Sequence, residues 1–196
     1  MKNTYYLLRH GESLKNIKGF ESSWPEKTIV PLTKKGIKEA KRVAKKAKNK
    51  KINLIFSSDL LRTKQTAEII AKELGIKVKL DKRLREIGLG LFNGKSVKEY
   101  GSFWDKARIL NPFQYYLKRY EISAPKGENY KDVEKRLKMF IKEIDGKYKG
   151  KNIIIVSHGR PLTLLEKIVN KHSFKKFVKI IMGKKEIKTG ELRKLK

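Results

Sequence analysis

Apolar residues along this chain follow two kinds of spacing. Short runs of consecutive apolar residues are typical of strands buried on both faces, and apolar residues recurring every three or four positions are typical of amphipathic helices. The runs predict strands over 4–8, 54–56, 76–80 and 152–156, with a further short strand over 179–182. The helical spacing predicts helices over 34–47, 60–74, 130–144 and 161–170.

The alternation of strands and helices predicts an α/β fold, a three-layer sandwich with a mostly parallel central sheet. No internal repeat or linker interrupts the pattern, so residues 1–196 are expected to form one domain. Residues 14–32 and 81–96 are predicted to be long loops, which in compact domains are commonly functional. Residues 97–126 are rich in aromatic side chains and contain two prolines. We expect one or two short helices there, forming a cap over one end of the sheet.

The charge balance is unusual, since 50 lysines and arginines against 20 acidic residues give a net charge of +30. Such a balance is one signature of nucleic-acid binding, and a protein that binds RNA or acidic partners is one hypothesis. Only ten of the 50 basic residues are arginines, and the lysines are spread through nearly every segment. This distribution favours a solvated lysine-rich surface with weak, salt-sensitive binding of polyanions.

Composition excludes several other classes. The chain has no cysteine, which excludes structural disulfides and zinc–thiolate sites. No apolar stretch approaches the length of a membrane span, and the first residues lack the shape of a signal peptide. We therefore expect a cytoplasmic protein without a membrane partner. A hydrophobic content of 39% is sufficient for a globular core.

Two of the three histidines, His10 and His158, share a local context, because each follows an apolar run and precedes a glycine. Arg62 and Glu86 also follow predicted strands. In open α/β sheets, ligands bind beyond the carboxyl ends of the strands. These four side chains are therefore expected to converge at one edge of the sheet, where glycine amides and helix starts supply further anion donors.

Arginines beside histidines suit a tetrahedral oxyanion, because guanidinium groups match the geometry of phosphate. A neutral histidine can attack phosphorus and form a covalent intermediate, while the other cationic groups neutralise charge on the phosphoryl oxygens. A carboxylic acid must then protonate the leaving oxygen, and Glu86 is the candidate. The candidate site therefore contains His10, His158, Arg9, Arg62 and Glu86, together with the segment around Gly159 and Arg160.

A metal site is the alternative use of the same residues. His10, His158 and Glu86 would form a set of two histidines and one carboxylate. Two or three neighbouring guanidinium groups oppose the binding of a dication, and the chain lacks the local spacing typical of paired histidine ligands. The phosphate interpretation is favoured, and no metal is expected.

Several motifs, in order along the chain, resemble those of the histidine phosphatase superfamily, the phosphoglycerate-mutase-like proteins. They are Leu8-Arg9-His10-Gly11-Glu12-Ser13 with Asn16, Pro31-Leu32-Thr33 with Gly36, Ser57-Ser58-Asp59-Leu60-Leu61-Arg62, Leu84-Arg85-Glu86-Ile87, Gly127-Glu128 and Ser157-His158-Gly159. The resemblance implies the phosphoglycerate-mutase-like fold and a metal-independent enzyme without a cofactor.

The resemblance also implies roles. His10 is expected to be the phosphorylated nucleophile and Glu86 the proton donor, with a phosphate pocket formed by Arg9, Arg62 and His158. Asn16 is expected to be a further phosphate contact. Arg160 stands where a small residue is expected, so it either adds a phosphate contact or points to solvent. His172 matches no motif and is expected to be a surface residue.

The resemblance favours hydrolysis of a small phosphorylated metabolite, and two alternatives stay open. One is phosphoglycerate mutase activity. Mutases of this superfamily are usually longer around the acid loop and carry additional arginines for the substrate carboxylate; this chain is short there, but Lys118 and Arg119 keep the alternative open. The other is a basic binding protein with a vestigial site, against which the intact set of motif residues argues.

Overall fold

The computed structural model describes residues 1–104 and 111–195. Its sheet has the strand order β3-β2-β4-β1-β5. The strands are β1 (Thr4–Arg9), β2 (Leu54–Ser57), β3 (Val78–Leu80), β4 (Asn152–Ser157) and β5 (Leu192–Lys194). The first four strands are parallel, and β5 pairs antiparallel with β1. The predicted α/β fold with a mostly parallel sheet is confirmed.

Helices cover both faces of this sheet. Within the described ranges they are α1 (Leu14–Lys18), α2 (Lys34–Lys48), α3 (Leu61–Leu74), α4 (Val97–Phe103), α5 (Pro112–Glu121), α6 (Tyr130–Lys147), α7 (Gly159–Val169) and α8 (Phe174–Met182). Thr33 caps α2 by accepting a hydrogen bond from the Gly36 amide, as its hydroxyl and position predict. Gly75 ends α3 in the left-handed conformation that glycine adopts without steric cost.

Successive residues of the central strands point to opposite faces of the sheet and build two cores. Leu8 of β1 belongs to a core shared with α2 and α3, and the preceding Leu7 belongs to a core shared with α6, α7 and α8. Both leucines are fully buried. Burial on both faces of the sheet explains why these strands are continuous apolar runs in the sequence. The two cores also place the ends of β1 and β4 in the middle of the molecule.

The predicted strand over 179–182 is wrong, because these residues are the last turn of α8. Phe177, Val178 and Ile181 bury one face of that helix, so helical packing overrides the short apolar run. The predicted loop over 14–32 also contains a short helix, α1, whose first turn is closed by reciprocal hydrogen bonds between Ser13 and Asn16.

Two short helices, α4 and α5, lie in the segment 97–126, as expected for the predicted cap. Residues 105–110 of that segment lie outside the described residues. The loop over 81–96 contains two short 3-10 turns, Lys82–Leu84 and Gly90–Phe92. Their boundaries leave Glu86 on the irregular stretch between them.

Candidate active site

The candidate residues lie at the carboxyl ends of the parallel strands. His10 follows β1, Ser58 follows β2, His158 follows β4, and Glu86 lies on the loop that follows β3. The last residues of β1 and β4, Arg9 and Ser157, are direct partners in the sheet. The register therefore brings the two histidines side by side, with their ring centroids 5.3 Å apart.

The His10 ring is buried and has a defined tautomer. Its Nδ1 lies 2.8 Å from the carbonyl oxygen of Gly11. Because a carbonyl only accepts hydrogen bonds, Nδ1 carries the proton and Nε2 keeps a free lone pair. Burial, followed by the charges of Arg62 and Arg9, holds the pKa of His10 well below its usual range. His10 is therefore a neutral imidazole at pH 7, as nucleophilic attack requires.

The loop that carries His10 packs tightly against its surroundings. The Gly11 amide donates to Thr66 Oγ1 at 3.1 Å, and Thr66 Oγ1 in turn donates to the Arg62 carbonyl at 2.7 Å. A Cβ atom on Gly11 would lie 2.5 Å from the Gly36 carbonyl oxygen, and one on Gly36 would lie 2.0 Å from the Glu12 carbonyl oxygen. The two glycines thus allow the backbone approach that fixes the loop.

His158 lies fully buried beside His10. Its Nε2 is 3.1 Å from Ser58 Oγ, and its Nδ1 has no hydrogen-bond partner among the described residues. Burial, followed by the charge of Arg62, lowers the pKa of His158 well below its usual range. Nδ1 is a polar atom that a bound ligand would satisfy.

Two arginines complete the cationic part of the site. The Arg62 side chain is fully buried, with Nη2 donating to the Ser22 carbonyl at 3.2 Å and Nη1 3.6 Å from Glu26 Oε1. Arg9 Nη1 donates to the Ile187 carbonyl at 3.3 Å. The Nε of both arginines is buried without a hydrogen-bond partner in the described part of the chain. Buried N–H groups left unpaired are costly, so both point to an anionic acceptor in the site.

Gly159 makes room for one of these arginines. A Cβ atom on Gly159 would lie 3.2 Å from Arg9 Cζ and 3.3 Å from Arg9 Nη1. Gly159 is also the first residue of α7, whose preceding residue His158 gives no side-chain cap. The start of this helix therefore combines free backbone amides with the Arg9 guanidinium.

A cleft opens beside these groups. It is lined by the cationic residues Arg9, Lys15, Arg119 and Arg160, the acidic residues Glu21, Glu86 and Glu186, and by Ile87, Leu89, Tyr100 and Gly159. Glu86 is half-buried in this wall, and its Oε1 accepts a hydrogen bond from the Ile87 amide at 3.0 Å. The carboxyl group is thus presented to the same cleft as Arg9.

Arg160 lies in the cleft wall and is paired with an acidic residue. Its Nη1 is 3.0 Å from Glu186 Oε1, and its guanidinium lies over the rings of Tyr116 and Tyr130, at 5.8 and 5.6 Å. No local pattern singles out Glu186, which lies beyond α8 and reaches the cleft from there.

Arg119 reaches the cleft from α5. Its Nη2 donates to the Tyr100 hydroxyl at 2.7 Å, and its Nη1 donates to the Tyr115 hydroxyl at 3.2 Å. In the described ranges Arg119 has no ion pair with a carboxylate. From the sequence, Arg119 is only an argument for mutase activity. A local pattern does not show that a residue of the segment 97–126 reaches the cleft.

Asn16 lies in the first turn of α1. Its side chain is exposed, and its Oδ1 accepts hydrogen bonds from the Ser13 amide and hydroxyl, both at 2.9 Å, at the start of α1. It does not line the cleft. His172 is half-buried at the end of α7, away from the other two histidines.

The described residues contain no group of three or more histidine, cysteine, aspartate or glutamate side chains that could hold a metal ion. None of the helices in 1–104 and 111–195 is both long enough and apolar enough to cross a membrane.

Comparison with known proteins explains the arrangement. The model of the histidine phosphatase superfamily (branch 1) matches residues 5–192. The chain belongs to this superfamily. The family predicted from the motifs is confirmed, and with it a place among phosphatases and phosphoglycerate-mutase-like proteins.

The relatives of this superfamily member include both kinds of enzyme. A probable phosphoglycerate mutase, GpmB, of Escherichia coli strain CFT073 is 34% identical over 163 residues, which span 82% of this chain and 71% of the relative. The structure of Bacillus stearothermophilus YhfR is 30% identical with a TM-score of 0.75, covering 89% of this chain and 83% of that chain. Mycobacterial glucosyl-3-phosphoglycerate phosphatase has the same fold, with a TM-score of 0.82, 21% identity and coverage of 97% and 88%.

Proposed function

We propose that the protein hydrolyses small phosphorylated metabolites of the cytoplasm through a phosphohistidine formed on Nε2 of His10. The observation that carries the proposal is the state of His10, a buried neutral imidazole whose hydrogen bond to the Gly11 carbonyl leaves Nε2 free. Arg9 and Arg62 lie in the same site with unpaired N–H groups. A nucleophile beside unsatisfied cationic donors is what phosphoryl transfer from a dianionic ester requires.

In the first step Nε2 attacks phosphorus, the N–P bond forms, and the bond from phosphorus to the ester oxygen breaks. The departing oxygen takes a proton from the Glu86 carboxylic acid. In the second step the Glu86 carboxylate accepts a proton from water, which attacks phosphorus, and the electron pair of the N–P bond returns to Nε2. Arg9, Arg62 and His158 stabilise the charge on the phosphoryl oxygens in both steps.

The first test removes the nucleophile. His10→Ala should lower the hydrolysis of p-nitrophenyl phosphate by at least about 10⁴-fold, because the covalent path is lost. Phosphate release is measured in the presence of EDTA, and acid-labile phosphoprotein is measured after brief mixing with radiolabelled substrate. His172→Ala, which removes a histidine outside the site, is the control and should retain both signals. Wild-type activity in His10→Ala would refute the proposal.

Mutase activity is the second candidate, favoured by the Arg119 guanidinium, which lies in the cleft without a carboxylate partner among the described residues. A substrate that carries its own carboxylate would supply one. The name of the curated relatives, probable phosphoglycerate mutase, points the same way. The two functions separate in one measurement: with 3-phosphoglycerate and bisphosphoglycerate, exchange to 2-phosphoglycerate that outpaces phosphate release would overturn the hydrolase proposal.

A further inference from the structure

The loop that carries Glu86 is irregular, yet a proton donor needs a fixed position relative to the leaving oxygen. Glu86 lies between the two 3-10 turns, so no helix or strand holds its backbone. Among the described residues, only the neighbouring Ile87 amide donates a hydrogen bond to its Oε1. The position of this carboxyl group therefore depends on contacts made by the main chain around it.

One guanidinium makes two of these contacts. Arg136 of α6 donates from Nη1 to the Arg83 carbonyl at 2.6 Å and from Nη2 to the Glu86 carbonyl at 3.1 Å. Its Nε and Nη2 also donate to the two carboxylate oxygens of Glu128, each at 3.0 Å. The planar fork thus binds two points of the loop while the carboxylate holds the fork in place.

Glu128 binds the same loop on the other side of the acid. Its Oε2 accepts a hydrogen bond from the Gly88 amide at 2.8 Å, and its own amide donates to the Gly88 carbonyl at 2.8 Å. Side-chain exposure is only 15% for Arg136 and 16% for Glu128, so solvent screening of the pair is limited. The backbone on both sides of Glu86 is therefore tied to a single ion pair.

Neither partner of this ion pair lines the cleft. We propose that Arg136, locked by Glu128, is a positioning residue that fixes the backbone of Glu86 for proton donation to the leaving oxygen. The inference rests on the proposed hydrolysis. Trp24 supports the same point, since its Nε1 donates to the Glu86 carbonyl at 3.1 Å.

Leaving groups distinguish positioning of the acid from general support of the fold. The p-nitrophenolate anion departs without a proton, whereas the alkoxide of glycerol 2-phosphate needs one. Arg136→Gln should therefore lower kcat/KM for glycerol 2-phosphate by about 10- to 100-fold and for p-nitrophenyl phosphate by less than about threefold. The ratio kcat/KM is the correct readout, because it excludes hydrolysis of the phosphohistidine, which is common to both substrates.

Four variants sharpen the test. Glu86→Gln should give the same selectivity for leaving groups, and adding Arg136→Gln to it should cost no further activity toward glycerol 2-phosphate, because the two residues act as a unit. Arg136→Lys keeps the charge near His158 but lacks the fork, so it should restore only a minor part of the loss. Arg193→Gln is the matched control, an arginine that binds two carboxylates and one carbonyl outside the cleft, and it should keep the wild-type selectivity.

Equal losses for both substrates, or losses that add to those of Glu86→Gln, would overturn the inference. Should Arg136→Gln fail to fold, Glu128→Gln and Arg136→Lys carry the same comparison, with thermal unfolding monitored throughout. Failure of the proposed function itself is a separate outcome, because it is decided by activity that survives in His10→Ala.

Discussion

Two buried histidines beside two arginines set the chemistry at the scale of single residues. Burial and the neighbouring guanidinium charges keep His10 and His158 neutral, which leaves a lone pair on His10 for the proposed attack on phosphorus. The same burial opposes protonation of the folded protein. A feature that supports catalysis near neutral pH therefore lowers the stability of the fold in acid.

The direction of this effect follows from linkage. In the unfolded chain each histidine binds a proton below about pH 6.5, whereas both stay neutral in the folded protein. Above that pH they leave the free energy of unfolding unchanged. We predict that lowering the pH from about 6.5 to about 5.5 costs about 1 kcal/mol per histidine.

Urea unfolding of the wild type and of His158→Gln at the two pH values measures this effect. The variant should lose one histidine's share of the pH dependence. His172→Gln, which changes a half-buried ring, is the control and should keep more of the pH dependence than His158→Gln. An identical pH dependence in His158→Gln and the wild type would contradict the assignment of a neutral buried His158.

At the scale of elements, the start of α7 joins a helix terminus to the phosphate site. Gly159 is the first residue of the helix and lies against the Arg9 guanidinium. Its backbone is not in the left-handed region, so alanine fits the local conformation and a methyl group meets only Arg9. A substitution at Gly159 therefore perturbs the site without perturbing the helix.

Gly159→Ala should therefore lower kcat/KM for p-nitrophenyl phosphate by about tenfold, because the methyl group displaces Arg9 by a few tenths of an ångström. The melting temperature should not fall, since alanine favours a helix over glycine by up to about 1 kcal/mol. Gly146→Ala in α6, where a Cβ atom meets nothing within 4 Å, is the matched control and should stabilise the protein without changing activity. Unchanged kinetics in Gly159→Ala would remove Gly159 from the site.

Helices with one apolar face were predictable from the sequence. Elements that form only because they pair with or pack against other elements were not predictable. The residues of α2 and α6 bury a single stripe, so their spacing alone identified them. β5 is only three residues long and exists because β1 offers it an edge, which no local pattern records. The run ending at Met182 resembles a strand because a short apolar run does not show the packing against α5 and α7 that makes it helical.

The candidate site divides in the same way. Motif residues that follow strands, such as His10 and His158, were predictable because strand ends meet at one edge of a parallel sheet. Contacts that cross between elements were not predictable. Arg136 reaches the acid loop from α6, and Glu186 reaches the cleft from beyond α8. The contact of Asn16 with Ser13 is local and closes the first turn of α1.

At the scale of the whole molecule, the net charge of +30 surrounds a site built for an anion. Such a field speeds the association of charged substrates at low salt. The lysines Lys41, Lys45 and Lys46 on α2 are exposed and lie outside the cleft. We propose that polyanions bind this surface weakly and without sequence specificity.

We predict that labelled single-stranded RNA binds at about 50 mM salt and is released by about 200 mM, because each phosphate contact releases counterions and this release becomes less favourable as the salt concentration rises. Fluorescence anisotropy across a salt series measures this. A variant with Lys41, Lys45 and Lys46 changed to glutamate should bind less RNA and hydrolyse p-nitrophenyl phosphate at the wild-type rate under saturating substrate. Nanomolar binding that persists at physiological salt would instead indicate a nucleic-acid-binding function.

The position of β1 has a consequence for biosynthesis. β1 lies between β4 and β5, the Gly190 amide donates to the carbonyls of Arg9 and His10, and Arg9 donates to the Ile187 carbonyl. The ribosome therefore synthesises Arg9 and His10 long before Ile187 and Gly190, which bind them. A nascent chain forms these contacts only once the residues after α8 have emerged. Until β4 is made, the apolar β1 lacks both neighbours, and until β5 is made it lacks one, so the nascent chain exposes an unpaired apolar strand of the kind that chaperones bind.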